Sequence, residues 1–462
     1  MKKGISPLIA SVVLIAFVIA VGAIAVTFFT GFSESTKLGI EQKKSGSVSC
    51  ALAALEIDKD AISISDLKFH TKYVGKFNTQ TPESVYVSED FAYLTSYSAG
   101  YDKLIVINIS DPTNPQQIGE NTTSLDEPYS VYVSGSYAYV ASYKNDKLVI
   151  FNVSDNTNPI YIGENNTSLD GPTSVFVSGD YAYLVNEENS KLVIFNISNK
   201  TNPTLVGEIS TCLSYPHSVY ISENYAYVAS DNSRVCIFNV SDPSNPIHVK
   251  TVDYPGNVIA GPYSVFISGG NMFVTGTDAN YLIIYDITDP ENPIYLAKNK
   301  TSMDRPISVF ISGDYAYLAC CYSENFVVFD VSDPSNPTYV AENNTELYYP
   351  TSIFVSGNYV YVTDIGGDDK LAIFNTYTTK DVKIDIENIG QTDLSGLKII
   401  VYDENGAHTL DASPESISKA SKLTISTEDN LGTVTKIKVI STDCPGVESI
   451  VEKENGEWKL KR

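Results

Sequence analysis

One seven-residue pattern recurs seven times along the chain, and it constrains the fold more than any other feature. The pattern is P-x-S-[VI]-[YF]-[VI]-S, with copies that begin at Pro82, Pro128, Pro172, Pro216, Pro262, Pro306 and Pro350. Successive copies are 46, 44, 44, 46, 44 and 44 residues apart. A period of about 44 residues is typical of the blades of a β-propeller. The number of copies predicts seven blades.

One repeat unit shows four strand-like runs. "SVYVSGSYAYVASY" predicts two strands joined by a hairpin turn at Gly135 and Ser136. "KLVIFNVSD" predicts a third, more apolar strand of the kind that is buried between neighbouring blades. A "PTNP" or "PSNP" turn follows, where proline presets φ and Asn or Asp side chains cap the turn. "IYIGE" then supplies the fourth strand.

The two ends of the repeat region predict how the ring closes. The seventh copy ends at "KLAIFN", with no PxNP turn and no fourth strand after it. The segment "TKYVGKF" (Thr71 to Phe77) precedes the first copy and matches the fourth-strand pattern of "PTLVGEI". This early strand is therefore predicted to complete the last blade, which would pair edges that are otherwise exposed.

The third strand and its turn resemble the LVIVD-repeat family through "KLVIFNVSDNTNP", "RVCIFNVSDPSNP" and "FVVFDVSDPSNP". The resemblance covers about residues 69 to 377. It implies a β-propeller, and proteins with this repeat are often surface or secreted propellers. It implies little about chemistry, because one propeller fold carries many functions.

The segments on either side of the propeller predict a small β-sandwich, with residues 47–68 as its first part and 378–462 as its second. The second part alternates apolar and polar residues at Val382, Ile384 and Ile386, as strands do. The propeller, residues 69–377, would then be an insertion into this sandwich. The fold class expected is mainly β, with one N-terminal transmembrane or pilin-type helix.

Two of the six cysteines, Cys50 and Cys444, fall one in each half of the predicted sandwich. A disulfide between them would link the two halves in an oxidising compartment; the alternative is two buried thiols. Cys236 takes a third-strand position where other repeats have valine, so we interpret it as a small apolar residue. Cys212 lies in a loop between blades and could reach Cys236 only if that loop folds back.

The N-terminus predicts a membrane segment. An uncharged run from Ile5 to Phe29 follows Lys2 and Lys3, and it is long enough to span a bilayer with the bulk of the chain outside. "KKGISPLIASVVLIA" resembles the class III signal of archaeal type IV pilin-like proteins. The resemblance implies cleavage between Gly4 and Ile5, a leader of residues 1–4, and a hydrophobic helix and stalk over 5–46. An uncleaved signal anchor is the alternative.

Composition argues against several functional classes. The net charge of −24 argues against binding to nucleic acid or an anionic membrane through a basic face. Only four histidines are present, scattered along the chain, and no CxxC pair occurs, so we expect no metal site and no cofactor. We find no paired nucleophile and base and no nucleotide-binding loop. The chain is therefore not expected to be an enzyme.

The position x of the repeated heptapeptide is the candidate ligand site. It varies between blades while its neighbours stay constant, and it includes Glu83, Tyr129, His217 and Tyr263. In a propeller the loops before each proline and those between the second and third strands share one face. Their acidic, Asn and Tyr content suits sugar or cation binding. Drift at an unconstrained position is the alternative explanation.

The acidic loop "DIGGDDK" (Asp364 to Lys370) lacks the alternating ligand spacing of a calcium loop, so we expect a solvated loop there.

Eight of the N-x-[ST] sequons fall into two sets. Asn108, Asn152, Asn196 and Asn239 end the third strand, where Asp286 and Asp330 can replace them, so a turn-capping role is predicted. The glycosylation candidates lie in the loops before the repeated proline: Asn121, Asn165, Asn299 and Asn343. The alternative for this second set is a polar loop without glycans.

The sequence therefore predicts an exported archaeal pilin-like protein at the cell surface, single-pass or pilus-associated, with its bulk outside. Its partners would be the membrane, other pilin subunits and an extracellular glycan or protein ligand, with the propeller serving adhesion or binding. The first alternative is an uncleaved, signal-anchored surface propeller with a binding or structural role. A propeller enzyme is the less favoured alternative.

Overall fold

The computed structural model describes two compact units, which contain only strands, turns and loops. It describes residues 54–65, 68–98, 100, 102–231, 233–253, 261–390, 393–403, 406–418, 421–429, 431, 433–444, 447–454 and 457–461. One unit comprises the residues before 67 and from 380 onward, and the other comprises 67–379. The predicted leader, the hydrophobic helix over 5–46 and the predicted cleavage site Gly4–Ile5 lie outside the described residues. Within the described ranges, no helix is long and apolar enough to cross a membrane.

Unit 67–379 is a β-propeller of seven four-stranded antiparallel blades. Blade 1 consists of β3 (Pro82–Ser88), β4 (Phe91–Ser96), β5 (Lys103–Asn108) and β6 (Gln116–Asn121). Blade 2 consists of β7 (Pro128–Ser134), β8 (Tyr137–Ser142), β9 (Lys147–Asn152) and β10 (Ile160–Asn165). Blade 3 consists of β11 (Pro172–Ser178), β12 (Tyr181–Asn186), β13 (Lys191–Asn196) and β14 (Thr204–Ile209). Blade 4 consists of β15 (Pro216–Ser222), β16 (Tyr225–Ser230), β17 (Arg234–Asn239) and β18 (Ile247–Asp253). Blade 5 consists of β19 (Pro262–Ser268), β20 (Asn271–Gly276), β21 (Tyr281–Asp286) and β22 (Ile294–Asn299). Blade 6 consists of β23 (Pro306–Ser312), β24 (Tyr315–Cys320), β25 (Asn325–Asp330) and β26 (Thr338–Asn343).

Blade 7 is closed by the early strand, as predicted. It consists of β27 (Pro350–Ser356), β28 (Tyr359–Asp364), the first half of β29 (Lys370–Asn388) and β2 (Lys68–Asn78). Lys68 pairs with Thr379, so the chain enters and leaves the propeller side by side. Each blade begins at its proline, and its successive strands run in opposite directions. The point where the chain enters and leaves the propeller therefore lies at the end of blade 7 opposite its proline.

The repeat sequence explains the local turns. The first two strands of a blade are joined by two residues, of which the first has a positive φ, +57° at Gly135 and +53° at Glu89. In the PxNP turn, the side-chain Oδ1 of Asp111 accepts a hydrogen bond from the backbone N–H of Thr113 at 3.0 Å. Both predicted turns are therefore confirmed.

A glycine in the fourth strand lets adjacent blades approach closely. A Cβ on Gly119 would lie 2.3 Å from the backbone oxygen of Asn156 in the next blade. The same contact recurs at Gly75, Gly163 and Gly207. The "VG" and "IG" pairs of the repeat thus mark places where the PxNP turn of one blade packs on the backbone of another.

The core lies between the blades. The third-strand residues Leu148, Val149, Ile150 and Phe151 are fully buried, as their continuous apolar run predicted. Each apolar cluster joins two neighbouring blades; Ile150 of blade 2, for example, shares a cluster with Phe195 of blade 3. Each such side chain contributes about 1.5–3 kcal/mol to the free energy of folding by leaving water.

The second unit contains two sheets with a shared core. The first sheet pairs the second half of β29 with β1 (Leu55–Ile64) and β32 (Lys422–Asp429). The second has the order β31-β30-β33-β34-β35, formed by β30 (Leu397–Asp403), β31 (Gly406–Asp411), β33 (Lys436–Ser441), β34 (Glu448–Glu454) and β35 (Glu457–Lys461). Buried residues of both sheets, such as Ile384 and Val439, belong to one apolar cluster, which is the arrangement of a β-sandwich.

Candidate functional site

The innermost strand of every blade is irregular at its first residues. In blade 1 the pairing between β3 and β4 shifts register between Pro82 and Ser84, and the first strands of the other blades shift near the same point. A bulge of this kind re-aims a side chain. In consequence the variable residue x and the serine after it both line the central channel.

The repeated serines of blades 1 to 6 each form a hydrogen bond to the following blade. The Oγ of Ser84 accepts a hydrogen bond from the backbone N–H of Val131 in the following blade at 3.3 Å. Equivalent bonds of 3.2–3.4 Å are accepted by the Oγ atoms of Ser130, Ser174, Ser218, Ser264 and Ser308. The constancy of this serine in the sequence therefore has a structural cause.

Two residues further along each innermost strand, seven aromatic side chains form a closed ring around the channel. Neighbouring ring centroids are 4.6–5.0 Å apart, with interplanar angles of 46–56°, and the members are Tyr86, Tyr132, Phe176, Tyr220, Phe266, Phe310 and Phe354. Tilted contacts at this spacing are favourable between aromatic rings. The [YF] position of the repeat thus narrows the channel below the serines.

Above this ring lies a cavity of about 790 Å³, which we call the cup. The predicted ligand-face residues Glu83, Tyr129, His217 and Tyr263 all line it. The same position x in the other blades adds Thr173, Ile307 and Thr351. The structure therefore brings all seven variable positions to one cavity, although it leaves ligand binding itself untested.

Other cup residues were not singled out by the sequence. Tyr97, Glu187 and Ile365 come from the loops between second and third strands, while Arg305, Tyr348 and Tyr349 directly precede a repeated proline or lie close before it. Both groups of loops were expected to share a face. The position of these loops could therefore have identified the residues, although no single residue type recurs there in every blade.

One wall of the cup combines a buried carboxyl with stacked tyrosines. Burial raises the pKa of Glu83 to about 7, and a hydrogen bond with the Tyr97 hydroxyl partly opposes that rise. Tyr129 stacks on Tyr97 at 6.3 Å and on Tyr143 at 4.7 Å between ring centroids. Burial, followed by the charge of Glu83, raises the pKa of Tyr129, so its hydroxyl stays protonated and can donate.

The remaining walls carry one imidazole and one guanidinium. His217 stacks on Tyr263 with ring centroids 4.4 Å apart, and its Nε2 lies 3.4 Å from Oδ1 of Asp231. Arg305 lies over the ring of Tyr322 at 4.8 Å and donates a hydrogen bond to its hydroxyl at 2.5 Å. The cup thus offers flat aromatic faces, hydroxyls, a carboxyl and a fixed cation.

Glu83 gives the propeller a pH-dependent stability. Its folded-state pKa of about 7 lies above its ordinary value of 4.5, so the folded protein holds the proton more tightly than the unfolded chain. Stability from this group is fully present below pH 4.5 and lost as the pH rises through 7. We expect the free energy of unfolding to fall by roughly 3 kcal/mol across this window.

Urea denaturation at several pH values measures this slope, and Glu83→Gln is expected to flatten it. Glu120→Gln is the control, because hydrogen bonds from Lys103 and Gln117 lower the pKa of Glu120 and give it the opposite slope. An unchanged pH profile in Glu83→Gln would contradict the assignment.

The other predicted sites have mixed outcomes. The predicted turn caps are confirmed, because Oδ1 of Asn108, Asn152, Asn196 and Asn239 each accepts a hydrogen bond from the N–H two residues later. In the glycosylation candidates Asn121, Asn165, Asn299 and Asn343, the amide nitrogen donates to a backbone oxygen of a neighbouring blade. Whether these four carry glycans stays a prediction.

The cysteines depart from expectation at one pair. Cys212 and Cys236 form a disulfide, with Cα atoms 6.1 Å apart, so the interpretation of Cys236 as a small apolar residue is wrong. The loop that carries Cys212 does fold back onto the third strand. Cys444 is fully buried and disulfide-bonded, but Cys50 lies outside the described residues, so their pairing stays a prediction. Cys320 and Cys321 are buried free thiols.

Two carboxylates of the acidic loop from Asp364 to Lys370 have partners in the propeller, whereas Asp368 is 73% exposed. Asp369 accepts hydrogen bonds from the N–H groups of Gly366 and Thr81, and Asp364 pairs with Lys370 at 3.1 Å. Among the residues that the structure describes, no group of three or more His, Cys, Asp or Glu side chains could hold a metal ion.

These features define a class: a seven-bladed β-propeller with a polar, tyrosine-rich cup at the proline end of its channel. The LVIVD repeat matches residues 82–123, 129–167, 172–211, 215–254, 263–301, 307–345 and 349–373, which is more than half of the chain. The chain therefore belongs to the LVIVD-repeat family.

Solved structures support the fold. The periplasmic gluconolactonase PpgL of Pseudomonas aeruginosa is similar with a TM-score of 0.53 and 16% identity, over 63% of this chain and 98% of that one. The β-propeller domain of Cps50 (Swd1) from Myceliophteria thermophila has a TM-score of 0.54 and 8% identity, over 66% and 99%. A Lactobacillus plantarum protein has a TM-score of 0.53 and 11% identity, over 60% and 96%. At these identities the likeness concerns the fold alone. No curated protein matches the chain.

Proposed function

We propose that this protein is an exported cell-surface protein whose propeller binds a sugar-containing extracellular ligand in the cup. The observation that carries the proposal is the convergence of all seven variable repeat positions on one cavity. A constant scaffold with varied residues at a single site is the arrangement expected when binding has shaped those positions. Their neighbours, the serines, stay constant because they join the blades.

The chemistry of the cup favours carbohydrate. Tyr129 and Tyr263 line the cavity, and aromatic residues commonly pack against the apolar face of a sugar ring. Glu83, Arg305 and the serine hydroxyls supply donors and acceptors for sugar hydroxyls. A volume of about 790 Å³ lies within the range of small-ligand sites and suits a short oligosaccharide.

Export is supported by two independent features. Disulfides such as Cys212–Cys236 persist mainly in oxidising compartments outside the cytosol. The N-terminal sequence "KKGISPLIASVVLIA" carries the pilin-like signal described above. Peptide sequencing of the mature N-terminus tests the route: a start at Ile5 supports a pilin-like, pilus-associated protein. A start at Met1 or Lys2 leaves a signal-anchored surface protein.

The binding claim is tested with a glycan array, followed by calorimetric titration of the best hit. We expect Tyr129→Ala to weaken binding at least tenfold, because it removes a stacked ring from the wall of the cup. Tyr295→Ala is the matched control, because Tyr295 is 37% exposed on a fourth strand and does not line the cup. The proposal fails if no glycan binds, or if Tyr129→Ala binds as tightly as the parent protein.

A sugar-processing enzyme is the second candidate. The observation in its favour is Glu83, whose pKa near 7 would let it transfer protons at neutral pH. A gluconolactonase among the proteins of similar fold is consistent with it. Following the bound glycan and simple sugar lactones by NMR separates the two functions: turnover that Glu83→Gln abolishes indicates an enzyme, and binding without turnover indicates a receptor.

A further inference from the structure

The eight repeat sequons form two sets at opposite ends of the propeller. The cup-side asparagines end the fourth strands and comprise Asn121, Asn165, Asn299 and Asn343. The third-strand asparagines end the third strands and comprise Asn108, Asn152, Asn196 and Asn239. Because consecutive strands are antiparallel, the first set lies at the proline end with the cup and the second lies at the other end.

The cup-side asparagines use the atom to which a glycan would be joined. Nδ2 of Asn121 donates to the backbone oxygen of Pro159 at 2.8 Å, and Nδ2 of Asn165 donates to that of Pro203 at 2.7 Å. Asn299 and Asn343 make the corresponding bonds, to Pro337 at 3.0 Å and to Thr71 at 3.2 Å. These bonds are part-buried and join one blade to the next, so the amide nitrogen has a structural role.

The third-strand asparagines use only the other end of the amide. Their Oδ1 atoms accept hydrogen bonds of 2.8–3.0 Å from backbone N–H groups. Asp286 and Asp330 make the same bond with a carboxylate oxygen in blades 5 and 6. A carboxylate has no amide nitrogen, so Nδ2 is dispensable for this turn and is available for another bond.

We propose that N-linked glycans are attached to the third-strand asparagines and not to the cup-side asparagines. The inference rests on export, as proposed above. The donor class is an oligosaccharide on a polyisoprenyl phosphate carrier. The bond between Nδ2 and sugar C1 forms as the bond between C1 and the phosphate oxygen breaks, and Nδ2 loses one proton. The sequons at Asn166 and Asn199 belong to neither set and are outside the proposal.

This placement keeps the hydrogen bonds of the fold intact. A glycan on Asn152 leaves the Oδ1 cap unchanged, because the cap does not use the nitrogen. A glycan on Asn165 would join a bulky substituent to an atom already 2.7 Å from the neighbouring blade.

Glycopeptide mass spectrometry of the full-length protein, isolated from the surface fraction of its own cells, maps the eight positions. We expect glycan mass on the third-strand asparagines and unmodified cup-side asparagines. Glycan on any cup-side asparagine, or on none of the eight, overturns the inference. Recovery of the protein only from the cytosol would instead defeat the proposed export.

Two substitutions within blade 2 provide a matched pair. Asn152→Asp keeps the Oδ1 cap and removes the acceptor nitrogen, so one glycan should be lost. Asn165→Asp removes a donor between blades, so the glycan count should stay constant while the melting temperature falls by about 2–4 °C, the shift for one lost hydrogen bond. The opposite pattern, with the glycan lost in Asn165→Asp, would refute the assignment.

Discussion

The substitution Asp364→Ala is expected to lower the free energy of unfolding of the propeller by about 3–5 kcal/mol, because it leaves a buried lysine without its counter-charge. The side chain of Asp364 is fully buried, and that of Lys370 is 5% exposed. Oδ2 of Asp364 lies 3.1 Å from Nζ of Lys370, and Oδ1 accepts hydrogen bonds from the N–H groups of Tyr348 and Tyr349. Urea denaturation followed by circular dichroism measures the loss.

Blade 7 needs this pair because its fourth strand comes from the other end of the chain. In blades 1 to 3 the lysine that begins the third strand pairs with a glutamate of the fourth strand, as Lys103 does with Glu120. The register of β2 on β29 places Lys76 at the glutamate position in blade 7. Asp364 stands where blades 1, 2 and 4 have a serine and supplies the missing negative charge.

The matched control is Glu120→Ala, which breaks a part-exposed pair and should cost at most about 1 kcal/mol. A rescue is also available. Asp364→Ser with Lys76→Glu recreates the arrangement of blades 1 and 2 and should recover most of the stability lost in Asp364→Ser alone. If Asp364→Ala costs no more than Glu120→Ala, the buried pair does not have the proposed role.

The repeat made the propeller predictable because each constant residue has a local physical task. The proline and serine of the heptapeptide set the bulge and the bond between blades, and the apolar third strand fills the core. Closure by β2 was also predictable, because "TKYVGKF" carries the fourth-strand glycine, Gly75, at which the strand approaches the next blade. The same logic placed Glu83, Tyr129, His217 and Tyr263 at one mouth of the channel.

What could not be predicted depends on contacts between blades or within single loops. Arg305 and Tyr97 line the cup, but Arg305 occurs once and Tyr97 has a counterpart in Tyr143 of blade 2 alone, so no periodicity over seven blades marks them. The two sets of asparagines look alike in sequence, because the direction of Nδ2 is decided by the carbonyl groups of the next blade. Asp364 was grouped with an acidic loop, because its lysine partner is buried only in the folded blade.

The disulfide between Cys212 and Cys236 was missed because a loop trajectory decides it. Cys212 precedes β15 by a few residues and has a φ of +80°, which turns the chain back toward β17. The two cysteines are 24 residues apart in sequence, and the bond joins the loop before Pro216 and His217 to a fully buried strand position. It therefore restrains a loop that leads directly into the cup.

Removal of this bond by Cys212→Ser with Cys236→Ser is expected to lower the free energy of unfolding by about 2–4 kcal/mol, the effect of releasing a loop of this length in the unfolded chain. A reducing agent should lower the urea midpoint of the parent protein further than that of the double variant, which still has the disulfide of Cys444. Cys320→Ser is the control for loss of a buried thiol that is not bonded to another cysteine. Equal urea midpoints for the parent and the double variant would mean that the bond adds no stability. In protein taken from its cells and alkylated at once, blocked Cys212 and Cys236 thiols would identify a reducing compartment and contradict the proposed export.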